Sequence, residues 1–309
     1  MRVVVFGTAA FAVPTLEALA KHHAVVLCVT QPDRPQGRGL SLGPSPVKRA
    51  ALSLGLSLLQ PEQVRREHCA AYAFDIGVVA AYGQLLAKDL VELPPRGMVG
   101  VHPSLLPKYR GAAPVAWAIL HGDTETGVSI FRLTERLDAG DVIAQRHVAI
   151  DAGEDVEALT NRLACLGAEE LLRALQAIEA GRVTRTPQVE TEASLAPKLT
   201  KEQGRIDWRL PAEAIERLVR GTVPWPGAVT TCAGSPLRIW TVSVMASRPA
   251  GGSTQPTPGT ILEVGADGFV VQTGRGSVLV RDVQPSGKRR MTVREFLAGH
   301  RVTPGERLG

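Results

Sequence analysis

A histidine and an aspartate stand 36 positions apart, each inside a short segment rich in proline or glycine. His102 lies in the segment 101–114 and Asp138 in the segment 137–143. Each segment borders an apolar run that is typical of a β-strand, and residues at strand ends commonly hold a general acid and a general base over one substrate atom. The pair therefore predicts acid–base chemistry at one edge of a sheet. His102 taken alone also fits an ordinary turn, and Asp141 is an alternative for the carboxylate.

The first half of the chain alternates strand-like and helix-like segments, which is typical of an α/β fold. Several strand-like runs are apolar almost throughout, as expected for parallel strands covered on both faces. Leucines at three- and four-residue spacing predict a long helix over about 155–179. We expect a Rossmann-like, mostly parallel sheet with helices on both faces, whose strands cover 2–6, 24–29, 56–59, 75–80, 98–101 and 127–133.

The chain changes character after the long helical pattern. Prolines, a glycine and several charges interrupt the periodicity over 186–208, which predicts a linker. Five short β-branched runs follow between about 228 and 283, and they predict a small OB-like β-barrel. The expected organisation is a catalytic domain over 1–185, the linker over 186–208, and a C-terminal β-barrel domain over 209–309.

The excess of basic residues lies in the last third of the chain. Residues 208–309 carry 13 Lys and Arg against 7 Asp and Glu, whereas residues 1–207 carry 22 against 23. This asymmetry favours a C-terminal domain that binds a polyanion. A solvated basic surface without a partner explains the charge equally well.

Several classes of function are disfavoured. The first strand-to-helix turn, at 6–14, has one glycine where a dinucleotide-binding fingerprint has three, and no P-loop motif occurs. The four cysteines form no C-x-x-C, so we expect reduced thiols and no zinc site. No run of about 18 uncharged apolar residues exists, which argues against a membrane span. The first strand has no secretory leader before it, so a cytoplasmic location is expected.

A polar loop at 31–39 follows the second predicted strand. It is rich in glycine and proline and carries Arg34 and Arg38. A loop at the carboxyl end of a parallel strand can reach over a ligand, and arginines suit phosphate contacts. The interpretation as an ordinary exposed connection stays open.

Nearly the whole chain resembles one known family. The motifs that carry the resemblance are the 31–39 loop, Ala80–Leu86, Ser104–Pro107, Leu137–Asp141, Lys198–Trp208, Pro224–Ala228 and Pro304–Gly309. On these motifs the chain resembles the methionyl-tRNA formyltransferases, a branch of the folate-dependent formyltransferases. The N-terminal motifs are those of folate-dependent formyl transfer, and the linker and C-terminal motifs are similar to those of the tRNA-acting branch.

The resemblance implies a reaction and a set of residues. The formyl donor would be 10-formyltetrahydrofolate, and the acceptor the α-amine of methionine on initiator tRNA. No metal is implied, and the protein is expected to be a monomer. His102 and Asp138 would be catalytic. The implied cofactor-binding residues are Tyr82, Gln84, Leu85, Leu86, Ser104, Leu105, Leu106, Pro107, Asp138 and Asp141; the implied nucleic-acid-binding residues are Arg34, Arg38, Lys198, Lys201, Arg205, Lys288, Arg289 and Arg290.

One position departs from the family pattern. The family usually has Asn two residues before the histidine, and this chain has Gly100. Losing one donor to an oxyanion typically costs about 100–1000-fold in rate. Either the rate is low, or a backbone N–H, a water or another side chain takes the place of the missing donor. The Gly100→Asn variant is expected to be at least as active as the protein with glycine. Two other functions stay open: formyl transfer to an amino-sugar nucleotide or to glycinamide ribonucleotide, and non-catalytic binding of tRNA or folate.

Overall fold

The computed structural model describes residues 1–36, 41–245 and 256–309. The chain divides into two compact units. The first unit comprises 1–115, 125–150 and 158–197, and the second comprises 116–124, 151–157 and 198–309. The stretch predicted as a linker is thus divided: residues 186–197 belong to the first unit and residues 198–208 to the second.

The helices and strands are numbered in chain order. The strands are β1 Arg2–Gly7, β2 Ala24–Val29, β3 Arg34–Gln36, β4 Ser41–Gly43, β5 Leu58–Leu59, β6 Ile76–Ala80, β7 Met98–His102, β8 Arg110–Gly111, β9 Glu125–Arg132, β10 Val142–Ala149, β11 Leu195–Ala196, β12 Ala228–Cys232, β13 Ser235–Met245, β14 Ile261–Gly265, β15 Gly268–Gln272, β16 Ser277–Pro285 and β17 Met291–Thr292. The α-helices are α1 Val13–His22, α2 Pro46–Ser53, α3 Glu67–Ala70, α4 Lys88–Val91, α5 Pro114–His121, α6 Val156–Glu179, α7 Ala212–Gly221 and α8 Val293–Leu297.

A seven-stranded sheet organises the first unit. Its strand order is β10-β9-β7-β6-β1-β2-β5. Strands β7, β6, β1, β2 and β5 are parallel, and β9 and β10 continue the sheet antiparallel. The central strands are apolar almost throughout and are buried, so both faces of the sheet are covered. The predicted mostly parallel α/β fold is confirmed.

Strand β10 was not predicted from the sequence. It pairs antiparallel with β9 at the edge of the sheet, and most of its residues are only partly buried. Arg146 and His147 lie in the middle of β10, so its hydrophobic pattern is weak. An edge strand needs to bury only one face, and such a strand carries less apolar signal than a central one. The short strands β3, β4, β8, β11 and β17 were also missed.

The order of the parallel strands reverses at β1. Its two neighbours in the sheet are β2 on one side and β6 on the other, so the chain leaves the first half of the sheet at β5 and resumes beyond β1. Ligands of open α/β sheets bind outside the carboxyl ends of the strands, at such a reversal. The carboxyl ends of β1, β6 and β7 define the edge at which a site is expected, and His102 is the last residue of β7.

The helices follow local signals in the sequence. Helix α2 begins after Ser45, whose hydroxyl accepts a hydrogen bond from the Lys48 N–H, and Pro46 occupies the first helical position. Helix α6 buries one stripe of apolar residues and confirms the long helix predicted over 155–179. Every helix in the described part of the chain is too short or too polar to cross a bilayer.

An antiparallel sheet forms the second unit. Strands β12 to β16 are ordered β12-β13-β16-β15-β14, with β17 paired to β16. They match the five runs predicted between 228 and 283. Helix α7 packs against β13, and the unit has its own core that includes Ile215, Ile239, Phe269 and Val280. Each fully buried side chain of this size contributes about 1.5–3 kcal/mol to stability. The predicted C-terminal β domain is confirmed as an antiparallel sheet.

Candidate active site

His102 and Asp138 lie side by side at the edge of the sheet. His102 is buried at the end of β7, and its Nδ1 is 3.7 Å from Oδ2 of Asp138. Its other ring nitrogen, Nε2, is 2.9 Å from the backbone oxygen of Tyr109, which accepts a hydrogen bond when Nε2 carries the proton. The imidazole is therefore held from two directions, by a carboxylate and by a carbonyl. This arrangement suits transfer of a proton or stabilisation of a charge.

The backbone fixes the carboxylate of Asp138. Its Oδ2 accepts a hydrogen bond from the N–H of Gly111 at 2.9 Å. Asp138 has a φ of 49°, in the left-handed region that non-glycine residues rarely occupy. Strained conformations of this kind persist where the surroundings over-determine them, and they cluster at functional sites. Asp141, the alternative carboxylate, uses its backbone oxygen to accept a hydrogen bond from Arg132. Asp138 is the carboxylate that faces His102.

Phe131 fills the space in front of Gly100. The two residues are paired across β7 and β9. A Cβ at position 100 would overlap the Phe131 ring, at 2.6 Å from Cζ, and would lie 3.0 Å from Cδ1 of Leu133. The Phe131 ring also stands edge-on to His102, with 6.3 Å between the ring centroids. The expectation that Gly100→Asn would be at least as active does not agree with this packing, because the asparagine has no room.

A buried polar network supports the Ser104–Pro107 loop. Ser129 Oγ accepts a hydrogen bond from the Leu106 N–H at 3.0 Å and donates one to the Ser104 carbonyl at 2.7 Å. Gln145 Nε2 donates to the Leu106 carbonyl at 2.8 Å and to Ser129 Oγ at 2.9 Å. The Ser104 hydroxyl, also buried, donates to the Lys108 carbonyl. Sequence reasoning missed Ser129 and Gln145, although a serine inside the apolar run of β9 is a signal that could have been noticed.

The Tyr82–Leu86 segment divides its side chains between core and surface. Tyr82 is buried and packs edge-on against Phe6, and burial raises the pKa of its hydroxyl to about 12. Among the described residues no hydrogen-bond partner faces that hydroxyl. Leu86 is also buried, whereas Leu85 is 73% exposed. Gln84 bridges the Glu62 carbonyl and the Val64 N–H. Leu85 is therefore the member of this predicted set whose side chain faces outward.

The loop after β2 is tied to helix α2. Lys48 Nζ lies 2.7 Å from Oδ2 of Asp33, and this hydrogen bond lowers the pKa of the Asp33 carboxyl. Arg34 is exposed and lies 3.5 Å from Glu62. An exposed pair of this kind contributes about 0–1 kcal/mol, so Arg34 can exchange it for another anion at little cost. Arg38, the other arginine predicted to contact nucleic acid, lies outside the described residues.

The remaining predicted basic residues lie in the second unit. Lys198, Lys201 and Arg205 are exposed near its beginning. Lys288, Arg289 and Arg290 are exposed between β16 and β17.

A tryptophan not predicted from the sequence lies beside this second basic group. The guanidinium groups of Arg238 and Arg290 lie 4.0 and 5.1 Å from the Trp240 ring. Arg290 also pairs with Asp282 at 2.8 Å, and Arg289 with Glu295 at 2.6 Å. The surface is therefore basic and aromatic together, a composition that suits nucleic-acid backbones and bases.

No cluster that could hold a metal is found in the described ranges: three or more His, Cys, Asp or Glu side chains do not come together there. At the end of β7 the structure brings together one imidazole, one carboxylate and the backbone around them. Such a site can bind an acyl group, move a proton and stabilise an oxyanion.

Comparison with known protein families agrees with this geometry. The model of the formyl transferase family matches residues 1–175, and that of the formyl transferase C-terminal domain matches residues 198–301. The chain belongs to the formyl transferase family.

Full-length relatives define the branch, and a solved structure shares the fold. The methionyl-tRNA formyltransferase of Solibacter usitatus is 45% identical over 100% of this chain and 99% of its own. That of Thermus thermophilus is 47% identical, again over 100% of this chain and 99% of its own. Within the family the chain belongs with the methionyl-tRNA formyltransferases. HypX from Aquifex aeolicus, solved with tetrahydrofolic acid, has the same fold with a TM-score of 0.63 at 18% identity. The match covers 96% of this chain but 47% of HypX, so the chain spans about half the length of that protein.

Proposed function

We propose that the protein transfers the formyl group of 10-formyltetrahydrofolate to the α-amine of methionine on initiator Met-tRNA. The observation that carries the proposal is the contact of 3.7 Å between His102 and Asp138, at the carboxyl edge of β7. It occurs in a chain that is 45% identical over its full length to a methionyl-tRNA formyltransferase. The geometry of the site and the sequence similarity therefore both support formyl transfer.

The chemistry follows from the two side chains. The amine nitrogen attacks the formyl carbon, a C–N bond forms, and the carbonyl electrons move to oxygen. His102 donates a hydrogen bond to that oxyanion from Nδ1, which at 3.7 Å from Asp138 is too far to be hydrogen-bonded to it, while Nε2 stays on the Tyr109 carbonyl. A preorganised donor is usually the largest single catalytic contribution. Asp138 orients the imidazole and accepts the ammonium proton through a water. The oxyanion then collapses, the bond to N10 of the folate breaks, and N10 takes up the proton that Asp138 accepted.

A folate derivative is the donor that the family supports, and the similar HypX structure was solved with tetrahydrofolic acid. In our proposal the pteridine lies along the Tyr82–Leu86 backbone, with Leu85 against it, and along the Ser104–Pro107 loop. Asp138 and Asp141 flank the formyl group. Since Tyr82 and Leu86 are buried, we propose that they contribute to folate binding through their backbone atoms and by forming the floor of the pteridine site. The reaction needs no metal, because the amine is already a good nucleophile.

The basic residues of the second unit are proposed to bind the phosphates of the tRNA. Lys198, Lys201 and Arg205 form one basic group there, and residues 288–290 form another. Arg34, and Arg38 in the same loop, would contact the tRNA from the first unit. Lysine and arginine release counterions from a polyanion, which gives affinity without sequence specificity. A monomer in the cytoplasm, where initiator tRNA is charged, completes the proposal.

The test is a comparison of acceptors. The purified protein is incubated with 10-formyltetrahydrofolate and, separately, with charged initiator tRNA, an amino-sugar nucleotide and glycinamide ribonucleotide. Mass spectrometry then identifies the formylated product. We expect formyl-methionine on the tRNA alone. Formylation of the sugar or the ribonucleotide, with none of the tRNA, would refute the acceptor, and binding of both substrates without product would refute catalysis.

A further inference from the structure

A segment beyond the predicted catalytic domain ties the two halves of the candidate site together. Residues 186–197, here called the strap, run along the first unit. At one end Thr186 and Val142 exchange two backbone hydrogen bonds of 2.9 Å. At the other end β11 pairs parallel with β8, and the Ala112 and Ala113 N–H groups donate to the Ala196 carbonyl. The strap thus contacts the chain after His102 and the chain after Asp138.

The strap fixes the loop that holds both His102 and the carboxylate. Ser194 Oγ accepts a hydrogen bond from the Tyr109 N–H at 2.9 Å, and the Ser194 carbonyl accepts one from the Arg110 N–H at 2.8 Å. The Tyr109 carbonyl faces His102, and the N–H of Gly111 donates to Asp138. A Cβ at Gly111 would stand 2.8 Å from the Ala196 carbonyl, so only glycine allows this close approach.

Gln188 lies near the beginning of the strap, two residues after Thr186. Its Nε2 donates hydrogen bonds to the carbonyls of Asp138 at 2.8 Å and Gly140 at 2.7 Å. Its Oε1 accepts hydrogen bonds from Nε and Nη2 of Arg110, at 3.0 and 2.8 Å. Both amide protons and both lone pairs of the side chain are therefore used. One side chain joins the Asp138 turn to the loop that carries Tyr109 and Gly111.

Glu190 completes the connection by neutralising a buried charge. Arg110 is 6% exposed, and its Nη1 lies 3.1 Å from Glu190 Oε2. A buried guanidinium needs such a partner, because an unpaired buried charge is costly. The hydrogen bond from Arg110 is the main reason that the pKa of Glu190 is lowered, and Arg136 adds to it. The strap is thereby held to Arg110 by both Gln188 and Glu190.

We propose that Gln188 is a positioning residue for formyl transfer: it holds the Asp138 turn in its left-handed conformation, so that the carboxylate stays against His102. The proposal rests on the function proposed above. A φ of 49° at Asp138 is unfavourable unless the surroundings enforce it, and Gln188 donates hydrogen bonds to the carbonyl of that residue and to the carbonyl of Gly140, two residues later. Without them the turn relaxes, and the carboxylate moves away from the imidazole.

Two substitutions separate the contacts of Gln188. Gln188→Met keeps the length of the side chain and removes all four hydrogen bonds. Gln188→Glu keeps the acceptor for Arg110 and removes the two donors to the Asp138 turn. Because a misplacement of about 1 Å can cost about 100-fold, we expect kcat to fall about 10- to 100-fold in both variants. KM for the folate and for the tRNA should change less than about threefold. Val189→Ala, at the exposed neighbouring position, is the matched control and should behave as wild type.

A cycle with Asp138→Asn distinguishes positioning from a general structural role. If Gln188 acts through the carboxylate, Gln188→Met should lower kcat less than about twofold once Asp138→Asn is present. An equal loss in both backgrounds would contradict the proposal, as would a wild-type kcat in Gln188→Glu. If Gln188→Met does not fold, Gln188→Glu carries the same test.

The ring-proton NMR signals of His102 give a readout independent of turnover. In either Gln188 variant they should shift toward their positions in Asp138→Asn. Unshifted signals would refute the positioning role even if the wild type transfers formyl groups. Shifted signals in a protein that transfers none would overturn the proposed function and leave the positioning role standing.

Discussion

Replacing Gly100 by asparagine should damage this enzyme, although asparagine is the residue that the resemblance to the family implies there. The position faces the ring of Phe131 across the β7–β9 pair, and a Cβ would stand 2.6 Å from Cζ of that ring. Both residues are buried, so the ring can move only by displacing its neighbours. Among these neighbours is His102, to which the ring is edge-on.

The expected magnitude follows from this overlap. Extra atoms in a well-packed core cost about 1–3 kcal/mol. In a domain of this size each kcal/mol lowers Tm by about 2–4 °C, so Gly100→Asn should lower Tm by about 2–12 °C. Displacement of His102 should lower kcat/KM at least about 10-fold. Gly100→Ala carries the Cβ without the amide, and it should lose a comparable part of the stability.

Making room should reverse the effect. In Gly100→Asn combined with Phe131→Leu the ring is gone, and the asparagine amide can reach toward the formyl oxygen. The two substitutions are in contact, so their effects should not add, and a coupling of about 0.5–3 kcal/mol is expected in both Tm-derived stability and kcat/KM. The assays are thermal unfolding and steady-state formylation of charged initiator tRNA. A Gly100→Asn single variant with the stability and activity of wild type would refute the packing argument.

Three further outcomes are expected. Ser129→Ala leaves buried polar groups of the Ser104–Pro107 loop without hydrogen-bond partners, and each such group costs about 1–3 kcal/mol of stability. Tm should therefore fall and KM for the folate should rise, and unchanged values would show that the network is dispensable. Alanine at 288–290 should reduce the salt dependence of tRNA affinity by up to about three counterions, whereas an unaltered slope would make these residues a solvated surface. Burial raises the pKa of Cys28 to about 12 and of Cys69 to about 11. At pH 8 both thiols should therefore stay protonated and unreactive toward iodoacetamide until the protein unfolds, while exposed Cys165 reacts at once. Equal labelling rates for the three cysteines would contradict this burial.

The parts of the fold that follow from local pattern could be predicted. Strands such as β1 and β6 are continuous apolar runs, because both of their faces are covered, and the five strands of the second unit stand between clear turn signals. Strand β10 could not be predicted because it lies at an edge of the sheet and carries Arg146 and His147 in its middle. An apolar sequence pattern indicates which residues are buried, and a half-exposed edge strand has only a weak apolar pattern.

The candidate site could be predicted only in part, for a related reason. His102 ends β7 at the carboxyl edge of the parallel strands, where a ligand site is expected. Asp138 lies in the loop between β9 and β10, and β9 runs antiparallel to β7, so its carboxyl end lies beside Val99 and the loop must turn back to reach His102. The contacts of Gln188 with Asp138 and of Glu190 with Arg110 span 50 and 80 positions, and nothing in the local sequence indicates them. The region around Gln188 lacks periodicity because its backbone pairs only at isolated points, with Val142 at one end and with β8 at the other, instead of entering a long regular element. The packing of Phe131 on Gly100 likewise depends on a strand pairing that only the structure provides.

Single-turnover formylation with His102→Ala tests the role of the imidazole most directly. The variant is compared with wild type and with His147→Ala, which replaces an exposed histidine on β10. Affinity for charged initiator tRNA is measured alongside. We expect formyl transfer by His102→Ala to fall at least about 1000-fold, with tRNA affinity unchanged and His147→Ala fully active. Transfer by His102→Ala at the wild-type rate would show that the imidazole does not carry the reaction.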